Sequence, residues 1–149
     1  MAQTYFGSTV RAGSGTLTDS VDGGYTVLTQ NVSVTTVAAG TAVTGSLTLP
    51  ASSQIIGFYI DQTVNEAIGG GTATAINATI GTAAAGTQYL SATDVVGGGR
   101  AALTFTAAQL LAMSNIGSNT GLYFTIAPNG TISTTQGTYV LTVLYAQKV

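Results

Sequence analysis

From Tyr25 to Ala146 the large apolar residues fall in short runs at every second position, and each run stops at glycine, proline or a polar cluster. That alternation constrains the fold more than anything else in the chain. A strand turns successive side chains to opposite faces, so period two marks half-buried strands, whereas a helix needs a spacing near 3.6. Tyr25, Val27, Val32 and Val34 begin the pattern, and Val43, Gly45, Leu47 and Leu49 continue it to Pro50. Ile56, Phe58, Ile60, Gln62 and Val64 follow, with Ile55, Gly57, Tyr59 and Asp61 on the opposite face. Further strands are expected over Thr72–Gly81, Ala101–Thr106, Leu122–Ala127 and Thr138–Ala146, with Thr82–Gly99 as a long connection and Pro128-Asn129-Gly130 as a turn.

One segment breaks the alternation. Thr106-Ala107-Ala108-Gln109 has the form of a capping box, and Leu110, Leu111 and Met113 follow it, which predicts a short helix near residues 107–115. Residues 1–24, rich in Gly, Ser and Thr, have few large apolar side chains after Tyr5 and Phe6. They read as an extended N-terminal arm ending at the turn Asp22-Gly23-Gly24. The expected architecture is therefore all-β: an antiparallel β-sandwich or jelly roll of about eight strands over residues 25–149, with one short helix, preceded by the arm. The principal core is expected from Val27, Val32, Val34, Leu47, Leu49, Ile56, Phe58, Ile60, Leu103, Phe105, Phe124, Ile126, Leu141 and Val143.

Charge restricts the partners. Only 5% of the 149 residues are Asp, Glu, Lys or Arg, against about 25% in an ordinary soluble domain. A surface so poor in charge has little to oppose self-association, and this points to a homo-oligomer. Arg11, Arg100 and Lys148 are too few and too scattered to track a nucleic acid backbone or an anionic membrane. The N-terminus has neither a basic region nor an apolar stretch of the secretory kind, so assembly in the cytoplasm is expected.

Chemistry is restricted further still. The chain has no histidine and no cysteine, which removes the imidazole base, the thiol nucleophile and the usual zinc ligands. Paired carboxylates remain, and Asp61 and Glu66 are the candidates. A glycosidase cleft also needs sugar-stacking aromatics, and there is no tryptophan, so solvated charges at a strand end are the preferred reading. Asp19-Ser20-Val21-Asp22-Gly23-Gly24 lacks the spacing and closing Glu of a calcium loop and reads as a turn. Gly69-Gly70-Gly71 and Gly97-Gly98-Gly99 lack the Lys-Ser/Thr of a phosphate loop and read as bends where glycine supplies positive φ or close backbone approach. The sequons at Asn31, Asn77 and Asn129 reflect the abundance of Asn and Thr. No catalytic residue, metal site or cofactor is expected. The candidate partner contacts are Tyr5 and Phe6, an aromatic pair in a polar arm, with Arg11 beside them.

Leu47-Thr48-Leu49-Pro50-Ala51, followed by Ile55-Ile56-Gly57-Phe58-Tyr59-Ile60-Asp61, resembles a loosely defined group of small virion proteins of tailed phages and prophages. Thr79-Ile80-Gly81-Thr82-Ala83, the stretch Tyr89–Val96 and the strands Gly121–Ala127 and Gly137–Tyr145 carry the same likeness, which spans roughly residues 45–147. It implies a capsid decoration, cement or head-fibre protein on the virion surface, commonly a trimer, with the major capsid protein as partner. The arm lies outside it, and no binding residue transfers from it. A bacterial fimbrial subunit would share the Thr-Val strands but carry an export signal. A fibre or tail carbohydrate-binding module would expose a cluster of aromatics.

Overall fold

The computed structural model describes residues 25–148, apart from 38–39, 67, 69–70 and 133–135. The arm, with Tyr5, Phe6, Arg11 and the turn at Asp22, lies outside the described residues, as do Gly69 and Gly70. Eight strands and one helix follow in the order β1 (Tyr25–Thr35), β2 (Val43–Leu49), β3 (Ser53–Val64), β4 (Ile76–Gly81), β5 (Leu90–Asp94), β6 (Gly99–Arg100), α1 (Ala107–Met113), β7 (Thr120–Pro128) and β8 (Thr138–Lys148).

They form two four-stranded antiparallel sheets, ordered β1-β8-β3-β6 and β2-β7-β4-β5. The pairings β1–β8, β2–β7, β3–β6 and β4–β5 are nested, as in one long hairpin whose strands are folded back in couples. Rolling that hairpin adds β8–β3 and β7–β4 and divides the couples between two sheets. This is the jelly roll. The inner faces bury Leu49, Phe58, Ile60, Ile76, Ile80, Leu122, Phe124, Ile126, Leu141 and Val143, each removed from water almost entirely.

Val27 and Ile56, two of the expected core residues, are on the outside. β1 pairs with β8 without a register shift, so parity is kept from Tyr25 to Thr35. Val27 must then face away from Val32 and Val34, and it is 57% exposed. In β3 the register shifts between Ile55 and Gly57. A bulge adds one residue to the strand and so exchanges its faces. Ile55, 4% exposed, therefore joins Phe58 and Ile60 in the core, while Ile56 is 50% exposed. Val32, Leu47, Leu103 and Phe105 pack at the margin of the core.

Three boundaries also differ from expectation. Residues 72–75 leave the fourth strand because their backbone N–H groups bond side chains and loops instead: Thr74 and Ala75 donate to Asn129 Oδ1, and Thr72 to Thr131 Oγ1. The connection after Gly81 contains a strand, β5. Residues 101–106 keep the alternation, with Ala101, Leu103 and Phe105 turned inward, but after Ala101 N donates to Ile60 O they form no ladder. The helix lies where its capping box places it: Gln109 N donates to Thr106 Oγ1, and Thr106 N donates to Gln109 Oε1.

Candidate interaction surfaces

The two outer faces differ in chemistry. On the second sheet, β2 presents Thr44, Ser46 and Thr48, β7 presents Tyr123 and Thr125, and β4 presents Asn77 and Thr79. Thr44 and Thr125 share a hydroxyl hydrogen bond, and the loop after β4 is tied down where Ala85 N donates to Thr125 Oγ1. On the first sheet, register places Val27 beside Ala146, Leu144 beside Gly57, Tyr59 beside Thr142 and Asp61 beside Val140. With Ile56 and Val64 exposed as well, an apolar band crosses β1, β8 and β3.

Asp61 and Arg100 border this band. Arg100 donates through Nε and Nη2 to the two carboxylate oxygens of Asp61 at 2.9 and 3.0 Å, and its guanidinium lies 4.6 Å from the centre of the Tyr59 ring. The hydrogen bonds from Arg100 hold the Asp61 carboxyl below its usual range. The fork is possible because β6 sets Arg100 directly opposite Asp61. Charge here is neutralised within the chain.

Glu66 has a different setting. It is buried, not solvated as the sequence suggested, and it accepts from Thr36 Oγ1 at 3.0 Å and from Tyr139 Oη at 2.8 Å. Tyr139 Oη in turn accepts from Gln62 Nε2, and Gly98 N donates to Gln62 Oε1. Burial first, and then the bond to Glu66 and its charge, push the Tyr139 phenol far above its ordinary range, so it stays a donor. Asp61 and Glu66 thus belong to separate networks with no shared partner.

A cleft of about 230 Å³ is lined by Asp94, Val95, Gly97–Gly99 and Arg100. The three glycines adopt positive φ, as expected of a bend. Asp94 Oδ1 accepts from Ile76 N and Val96 N, and much of the remaining wall is the backbone of the three glycines. Among the described residues no group of three or more His, Cys, Asp or Glu could hold a metal ion, and no helix is long and apolar enough to cross a membrane.

The sequence did not reveal the orientation of α1. Gln109 and Met113 are buried, while Leu110 and Leu111 point outward, Leu111 being 74% exposed. The Gln109 amide, besides closing the capping box, donates to Thr87 O and Ser91 Oγ, and this polar anchoring sets the roll of the helix. Phe58, Tyr89 and Phe105 cluster on the core side, and among the described residues Tyr59 is the exposed aromatic.

No protein family matches this chain, and no curated protein does. Among solved structures, a chain of the Cyanophage Pam1 capsid asymmetric unit is similar, with a TM-score of 0.53 at 18% identity over 98% of each chain. At that identity the likeness is one of fold.

Proposed function

We propose that this chain is a structural virion protein that decorates or cements the capsid of a tailed bacteriophage. Its partners are the major capsid protein and further copies of itself. The observation that carries the reading is the likeness in fold, end to end in both chains, to a component of a phage capsid asymmetric unit. The chemistry agrees with it. Every charged side chain among Asp61, Glu66, Asp94 and Arg100 is engaged within the chain. What the surface offers is hydroxyls, one apolar sheet face and a pair of outward leucines, which suit contact with protein.

In this reading residues 1–24 anchor the domain to the shell. Tyr5 and Phe6 supply the buried contact, and Arg11 pairs with an acidic residue of the capsid. Assembly takes place in the host cytoplasm, and the resemblance in sequence implies a trimer. The test is a density map of particles produced by the genome that encodes the chain. Two-sheet domains seated on the outside of the shell are expected. Particles whose map accounts for every domain without this one would overturn the reading.

A further inference from the structure

The geometry points to a two-fold contact between copies of this chain, made by antiparallel pairing of the N-terminal half of β1 with the same segment of a second copy. β1 is the outer strand of its sheet and pairs on one side, with β8. Its C-terminal half packs by its inner face against the second sheet. Gln30 Nε2 donates to Thr48 O, and Gly45 of β2 lies so close that an added Cβ would stand 2.6 Å from Val32 Cγ2. β2 ends at Leu49, so residues 25–29 run on past it. There the strand exposes apolar side chains on both faces, Val27 on the outer face and Leu28, 39% exposed, on the inner.

Proteins usually blunt such an edge with charge, proline, a bulge or a covering element. β1 contains no charged residue, no proline and no glycine, its ladder with β8 has no bulge, and among the described residues nothing pairs with the free side of residues 25–29. The edge best fits an extended, uncharged strand with apolar groups on both faces. Tyr25-Thr26-Val27-Leu28-Thr29 is itself such a strand. A two-fold axis at Val27, the midpoint of the free edge, sets Val27 opposite Val27 of the second copy and Thr26 opposite Leu28. No like charges meet. A charged partner strand would find no countercharge on β1 and would bury its charge unpaired.

The pairing would fuse two four-stranded sheets into one of eight strands and bring the apolar outer bands together across Val27. It does not rest on the capsid reading, and a two-fold contact at this edge leaves the remaining surface available for a trimer.

Because the chain has no cysteine, Val27→Cys introduces a single thiol at an exposed position. Across the axis the two Cα atoms would be about 4.5–5.5 Å apart, within reach of a disulfide. Mild oxidation of dilute protein should give mainly a covalent dimer with Val27→Cys, and mainly monomer with Ser46→Cys on the second sheet's outer face. In sedimentation, Val27→Lys should weaken self-association several-fold with an unchanged thermal midpoint. Equal cross-linking of the two cysteine variants would overturn the contact, as would Val27→Lys sedimenting like the wild type. Return of residues 1–24 onto their own β1 edge would also overturn it, and would appear as a wild type that stays monomeric until those residues are removed.

Discussion

Tyr139 donates its phenol proton to Glu66 Oε2 at 2.8 Å, and both side chains are buried where β3 leaves the first sheet and β8 enters it. Among the described residues no cation pairs with Glu66. Its negative charge is met by two hydroxyl donors, Tyr139 and Thr36, and the chain of bonds continues through Gln62 to the backbone of Gly98. Segments following β1, β3 and β5 are thereby tied to the start of β8. A buried carboxylate is costly unless hydrogen-bonded, so this network holds that end of the sandwich in one arrangement.

Glu66→Ala should therefore destabilise the domain by about 2–4 kcal/mol, since it strands two buried donors. Glu66→Gln should lose less, because the amide oxygen still accepts one of them. Chemical denaturation measures both. A loss under about 1 kcal/mol for the alanine variant would show that water replaces the carboxylate.

The bulge in β3 makes opposite predictions for adjacent isoleucines. Ile55→Ala should cost about 2–5 kcal/mol, and Ile56→Ala should stay within about 0.5 kcal/mol. The same denaturation series decides it. Equal losses would mean that the register shift is misplaced.

Gly45 is where the two sheets come together at their β1–β2 edge. A Cβ there would meet Val32 Cγ2 at 2.6 Å and Val34 Cγ2 at 3.0 Å, and both belong to stiff β-branched side chains. Gly45→Val should cost about 1–3 kcal/mol or more through overpacking. An unchanged thermal midpoint would show that the edge opens freely.

Asp61 provides the pH dependence. Its carboxyl is held below the ordinary value of 3.8, chiefly by the Arg100 hydrogen bonds. A lowered folded-state pKa means stability that is fully present above 3.8 and lost as the pH falls through the folded value. Wild type should thus be more stable than Asp61→Asn near neutrality, by a small margin for so exposed a pair. The two should converge in strong acid. A difference that persists there would assign the effect to packing of Arg100 on Tyr59.

If residues 1–24 are the anchor, deleting residues 2–20 should leave folding intact and abolish retention on capsids. Full retention after deletion would mean that the sandwich itself grips the shell.

The strand runs, the capping box at Thr106 and Gln109 and the bend at Gly97–Gly99 were legible in the residues alone. Each depends on local spacing or on the presence of a residue type. What lay beyond the sequence depends on partners distant in the chain. Ile55 and Ile56 are equally suited to a core, and only pairing with β8 inserts the bulge that chooses between them. Gln109 outranks two leucines for a buried position because Thr87 and Ser91 come within hydrogen-bond reach. Glu66 reads as a solvated charge until Thr36 and Tyr139 are brought to it from 30 and 73 residues away. Period two specifies that a strand has two faces, but which face is buried is decided by the strands that pair with it and the sheet that packs against it.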